Sequence, residues 1–142
     1  LLAAQINSFY VLRAHYETYL KELEKEACPN LATVAGITIA AKLIEHTGSL
    51  KRLAEMPAST LQVLGAEKAL FRHMRNNRNR PPKYGMLHEH QLIQKSKKEM
   101  HGKVARALAD KASIAARVDY FKGKFIGDKL KKELADKFKI EY

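Results

Sequence analysis

The chain has 142 residues, 46% of them hydrophobic. That is enough for one domain with a real core and too apolar for a disordered tail. Its net charge of +11 is one-sided: residues 1–64 hold six Lys/Arg and six Asp/Glu, and residues 65–142 hold twenty and nine, an asymmetry that points to a polyanionic partner, most often nucleic acid.

No apolar run approaches the roughly 20 residues of a membrane span, and no signal-peptide pattern opens the chain. The single cysteine, Cys28, leaves no internal disulfide and no cysteine-built zinc site. It reads as a small residue at a helix end.

Residues 1–27 read as one helix. Ile6, Phe9, Tyr16, Leu20, Leu23 and Ala27 follow spacings of three, four and seven, with Arg13 interrupting, which is a narrow coiled-coil seam. The seam is under way at the first residue, Leu1, which suggests a piece of a longer chain. Pro29 ends this helix, and Asn30 is placed to cap the next. That next segment, "LATVAGITIAAKLIEHTG", is apolar on most faces and predicts one buried helix. Gly48 closes it, Ser49 caps a short helix "LKRLAEM", and Pro57 starts another, "ASTLQVL". Gly65 separates that from a helix carrying Lys68 and Arg72.

Asn76 to Gly85 reads as a polar loop, with Pro81 and Pro82 enforcing extended backbone. "MLHEHQLIQ" fits either a short strand or a helical turn. A long helix follows from about Lys97 to Phe121, its apolar stripe formed by Met100, Val104, Leu108, Ile114 and Val118. A last helix spans Ile126 to Phe138, with Leu130, Leu134 and Phe138 on one side. Strand-type alternation is nowhere sustained, so the fold class is all-α.

No catalytic constellation stands out, and the chain reads as a non-enzyme with no cofactor. His88-Glu89-His90, joined by His73 or His101, is the one metal candidate, but it lacks a helical His pair with a carboxylate. "GAEK" lacks phosphate-loop spacing. Nucleic-acid binding is better supported. Lys68, Arg72 and Arg75 are spaced four and three and share a helix face. Arg78, Arg80 and Lys83 extend it along the loop. On the long helix Lys103 and Arg106 are three apart, and Arg117 lies eleven further on, close to three whole turns. Arginine forks bind phosphate bidentately, and Asn76, Asn77 and Asn79 add groups for base edges or sugar hydroxyls. The competing expectation is that Arg106 and Arg117 pair with Asp110 and Asp119. Residues 34–65, from "VAGITI" to "LQVLG", also look like a helix-hairpin-helix DNA binder holding phosphates on amides near Gly36 and Gly65. They carry little positive charge and incomplete glycine pairs.

Three blocks occur in order: "MPASTLQVLGAEKALFRHM", "RPPKYG" and "GKVARALADKASIAARVDYF". They resemble the Nop domain of box C/D ribonucleoprotein core proteins, most of all the archaeal members. The resemblance covers about residues 30–140. It implies residues 1–28 as the end of the family's coiled-coil helix and residues 29–142 as the Nop domain. It implies a scaffold, not a catalyst, that binds a kink-turn guide RNA together with the small ribosomal-like protein already on it, in a particle that directs ribose 2′-O-methylation. Fibrillarin, the methyltransferase, would be recruited by an N-terminal domain upstream. The coiled coil would pair with a second copy or a paralogue. The site would be cytoplasmic in an archaeon and nucleolar in a eukaryote. A spliceosomal relative that binds a small nuclear RNA is the alternative.

Carried over by position, Lys68 of "GAEKALF", Arg106 of "KVARAL" and Arg117 of "IAARVD" would meet RNA phosphates or the bound protein. Glu89 falls where relatives often carry Gln or His, so "MLHEHQ" departs from the pattern. The arm from Arg72 to Lys83 is then basic because it lies along an RNA stem, and its double proline lowers the entropy lost on binding.

Overall fold

A computed structural model of the chain describes residues 1–140 and residue 142. Among them the fold is all-α, with no strand: α1 (Leu2–Ala27), α2 (Pro29–Ala35), α3 (Ile37–Thr47), α4 (Leu50–Glu55), α5 (Ala58–Val63), α6 (Glu67–Arg75), a 3-10 turn (Met86–Glu89), α7 (Gln91–Lys95), α8 (His101–Tyr120) and α9 (Gly127–Phe138). No described helix is long and apolar enough to cross a membrane.

Helix α8 is the axis of the domain, and α2, α4, α5 and α9 pack around it. Its buried side is mostly alanine: Ala105, Ala107, Ala109, Ala112, Ala115 and Ala116. Small side chains let several helices approach one axis, and larger ones from the neighbours fill the gaps. Leu31, Leu53, Leu61 and Leu134 supply that volume and are almost fully buried. The expected stripe of large residues is therefore partly wrong. Val104 and Leu108 are buried, Val118 is only half-buried, and Ile114 is 41% exposed.

The punctuation residues sit where expected. Gly48 takes a left-handed conformation (φ 82°) after α3. The Ser49 hydroxyl accepts from the Arg52 amide at 3.2 Å. The expected single helix over 31–47 is two, because Gly36 adopts φ 83° and ψ 149° and breaks it. A continuous apolar run gives no periodicity from which to see such a break. Asn30 is not the cap of α2: Pro29 occupies the first turn and moves the start to Cys28. The free amides of α2 are met instead from α8. The Asp119 carboxylate accepts from the Asn30 amide (3.1 Å), the Leu31 amide (2.8 Å) and the Asn30 side-chain amide (2.7 Å). Cys28 lies buried at the α1–α2 joint, where burial pushes its thiol up to about 12.

The ambiguous "MLHEHQLIQ" is helical in both halves, the 3-10 turn and then α7. Helix α1 projects from this body. Its seam residues Ile6, Phe9, Tyr16, Leu20 and Leu23 all face solvent. Only Glu24, near its root, is buried, with neither carboxylate oxygen hydrogen-bonded to a described residue, and burial pushes this group up to about 7.

Candidate nucleic-acid interface

Helix α6 and the segment that returns from it form an arm standing off the body. No α6 residue is buried. Its root is fixed at two glycines. Gly65 turns the chain at φ 91°, and its amide donates to the Glu67 carboxylate at 2.8 Å. That carboxylate also meets His46 Nε2 at 2.9 Å. The Gly65 amide is the chief reason it ionises below the usual carboxylate range. On the return, the Gly85 amide donates to the Gln62 carbonyl (2.9 Å), the Met86 amide to the Leu64 carbonyl (2.8 Å), and Gln62 Nε2 to the Lys83 carbonyl (2.7 Å). A Cβ at Gly85 would lie 2.0 Å from the Leu64 carbonyl oxygen, so only glycine fits there.

The tip is a built turn. The Asn76 side chain accepts from the Arg78 amide at 3.1 Å. The Asn79 carbonyl accepts from His73 Nδ1, which fixes that tautomer, and Asn79 Nδ2 donates to the Arg72 carbonyl at 3.3 Å. Asn76 Oδ1 and Asn79 Nδ2 therefore shape the loop.

The return segment and the start of α8 line a cleft of about 1090 Å³. Pro81, Pro82, Lys83, Gly102, Lys103 and Arg106 are among its lining residues, with the carboxylates of Glu99 and Asp110. The Lys83 stem runs beside Gly102, at about van der Waals distance from where a side chain there would begin. This brings Lys83 to Lys103 and Arg106, which sequence spacing alone does not reveal. Lys68, Arg72, Arg75, Arg78 and Arg80 lie along the arm.

Arg117 is apart from the cleft. Its Nε donates to the Ala54 carbonyl at the end of α4, at 3.0 Å. Asp119, its expected competitor, is turned into α2, and no ion pair joins Arg106 to Asp110. All nine basic residues are exposed. None forms an ion pair with a carboxylate among the described residues, whereas Lys42, Lys111, Arg13 and His46 do. The two α8 arginines should therefore separate experimentally. Arg106→Ala should leave the thermal midpoint within about 1 °C, and Arg117→Ala should lower it by about 3 °C, the loss of one buried-side hydrogen bond of about 1 kcal/mol. Thermal melts followed by circular dichroism check this, and equal midpoints would mean that the Ala54 bond does not hold in solution.

The histidines do not form a metal site. His90 is buried, with Nε2 donating to the Val34 carbonyl (3.1 Å) and Nδ1 accepting from the Leu92 amide (3.1 Å). Burial holds it neutral, down to about 4. His88 instead stacks on Tyr84, with ring centroids 4.7 Å apart. No three His, Cys, Asp or Glu among the described residues are placed to hold a metal ion. The helix-hairpin-helix arrangement is also absent: the Gly36 amide is bonded to the Ala32 carbonyl and the Gly65 amide to Glu67, so neither is free for a phosphate. Sequence reading missed the arm's anchors, Gln62 and Gly85.

A family model described as "Nop: snoRNA binding domain, fibrillarin" matches residues 1–140. An uncharacterized NOP5 family protein of Methanocaldococcus jannaschii is 49% identical over 93% of this chain and 31% of its own length. Nucleolar protein 56 of Caenorhabditis elegans is 45% identical over 84% of the chain and 24% of its own. Nucleolar protein 58 of Debaryomyces hansenii is 45% identical over 83% and 23%. Among solved structures, a fibrillarin/Nop5p complex contains a chain similar to this one, with a TM-score of 0.75 and 33% identity, over 95% of this chain and 50% of that one. The chain thus spans about a quarter to a third of the length of these curated relatives.

Proposed function

The chain belongs to the Nop family, and from that premise we propose that it is the RNA- and protein-binding module of a box C/D ribonucleoprotein core protein. The observation that carries this reading is the set of nine exposed cations, free of carboxylate partners among the described residues, along the arm, at the cleft and on the outer face of α8. A folded domain gains nothing from such a set, whereas a phosphate backbone does.

The arm carries two kinds of surface. Lys68, Arg72 and Arg75 share one side of α6. Phe71 and Met74, on the adjoining side, are 59% and 68% exposed. Arginine forks suit phosphates, and bare Phe and Met suit an apolar protein surface. The pair fits a composite target, a kink-turn guide RNA with its small ribosomal-like protein already bound. The module is a scaffold and not an enzyme. The fibrillarin contact is assigned to an N-terminal domain upstream of this module, as the family resemblance implies. Residues 1–28 serve as the end of a coiled coil whose open seam takes a second copy or a paralogue, and residues 29–142 form the RNA–protein module. In a eukaryote the particle would be nucleolar, in keeping with the names of the relatives, and in an archaeon cytoplasmic. The box C/D reading is preferred to the spliceosomal one because nucleolar and NOP5 proteins share this sequence over most of its length.

Titrating the protein against kink-turn RNA with and without the small protein tests the composite target. Binding should tighten at least about tenfold, or 1.4 kcal/mol, once that protein is present. Equal affinity in the two titrations would sink the reading.

A further inference from the structure

Aromatic rings stand in solvent past the end of α8 without contributing to the core. Phe121 is 75% exposed and Phe125 53% exposed, and Tyr120 meets Phe121 edge to face at 5.1 Å between centroids. Lys122 and Lys124 lie between Phe121 and Phe125 in the sequence, on either side of Gly123. Neither lysine is paired with a carboxylate among the described residues. The adjacent acid, Asp119, is buried and committed to the start of α2.

This segment is a defined turn. Lys122 takes the left-handed conformation (φ 50°) and its amide donates to the Asp119 carbonyl at 3.2 Å. The Gly123 amide donates to the Val118 carbonyl at 2.8 Å. These two bonds make a Schellman cap. Beyond it, the Ile126 amide donates to Asn30 Oδ1 at 2.6 Å, and Gly127 sits against Thr33. With both ends held, the rings are presented at little further entropic cost. Lys103, Arg106, Arg117 and Phe121 are spaced three, eleven and four, which places them on one face of α8 and its C-cap, with the exposed Asp110 as the single carboxylate on that face. The exposed Ile114 lies between them. This face is roughly 27 Å long at the α-helical rise.

We propose that the turn at 120–125 is a stacking platform for an unpaired RNA strand, reached along the outer face of α8 from the cleft. Phe121 and Phe125 take successive bases, while Lys122, Lys124 and Arg117 meet the phosphates between them. Two exposed rings with two lysines between them suit a single strand, whose unstacked bases offer faces beside the phosphates; a duplex hides its base faces. The inference rests on the RNA-binding reading above and extends it to RNA outside the kink-turn.

The test uses the chain with a preformed complex of kink-turn RNA and its small protein. The RNA is either trimmed flush or carries a short unpaired oligouridine extension at one end or the other. One extension should tighten binding about tenfold, the scale of one or two base–aromatic stacks. The double variant Phe121→Leu, Phe125→Leu should lose that gain while binding the trimmed complex as before. Leucine keeps an apolar surface without a stacking face. A gain that survives in this variant therefore overturns the proposal in favour of simple apolar contact. No gain from either extension also overturns it, and leaves the kink-turn reading standing. If the trimmed complex does not bind at all, the kink-turn reading fails, and oligouridine alone decides this proposal. Binding that the double variant loses supports it; absent or unchanged binding overturns it.

Discussion

Asp119→Ala is expected to lower the thermal midpoint by on the order of 10 °C or more, the largest effect of any single substitution considered for this domain. The Asp119 carboxylate is buried and accepts three hydrogen bonds, two from backbone amides at the start of α2 and one from the Asn30 side chain. Asn30 in turn accepts from the Ile126 amide at the entrance to α9. One side chain on α8 thereby sets the positions of α2 and α9. Removing it leaves buried donors without an acceptor, at about 1–3 kcal/mol for each that water cannot reach. A total of about 3–5 kcal/mol is the reasonable scale, since some water will enter. Asp119→Asn keeps one acceptor oxygen but turns an amide toward a donor, so it should recover only part of the loss. Melts of the three proteins followed by circular dichroism check the order: wild type, then Asn, then Ala. If the Ala variant melts within about 2 °C of wild type, the carboxylate does not cap α2 in solution.

Local chemistry made much of the fold legible. Gly48 with Ser49, Pro57 and Gly65 mark boundaries through backbone conformations and caps that act over a few residues. Periodicity found α1 and α9. The failures have physical causes. Gly36 breaks a helix inside a run that is apolar on every face, where periodicity is silent and a lone glycine costs only about 1 kcal/mol in a helix. The cap of α2 comes from a residue 89 positions along the chain, a contact that no local rule anticipates. In α8 the large residue Ile114 looked like core, but the buried side belongs to alanines, because four helices crowd that axis. The candidate surface was legible in kind and not in arrangement. The cations could be picked out by type and helical spacing. What the sequence did not show is that Gln62 and Gly85 draw the return of the arm back to the body, which sets Lys83 beside the start of α8, in one cleft with Lys103 and Arg106. The attachment of Arg117 to Ala54 was equally hidden.

The arm offers the largest expected effect on binding. Arg75, Arg78 and Arg80 are exposed and lack a carboxylate partner among the described residues. The bonds that shape the tip involve His73, Asn76, Asn79 and backbone groups, not these guanidinium groups. Replacing all three with alanine should therefore leave the fold and its midpoint almost untouched. Affinity for the kink-turn RNA–protein complex should fall by on the order of 100-fold, because each charge-assisted contact is worth about 1.5–3 kcal/mol before screening by salt reduces it. The most direct test is to measure that affinity at several salt concentrations for wild type and the triple variant, both confirmed monodisperse. Each phosphate contact contributes about 0.7–0.9 to the slope of log affinity against log salt, so the variant should bind more weakly with a slope shallower by roughly two units. An unchanged affinity and slope would contradict the account: the arm would then be a solubilising surface, and its arginines would not touch RNA.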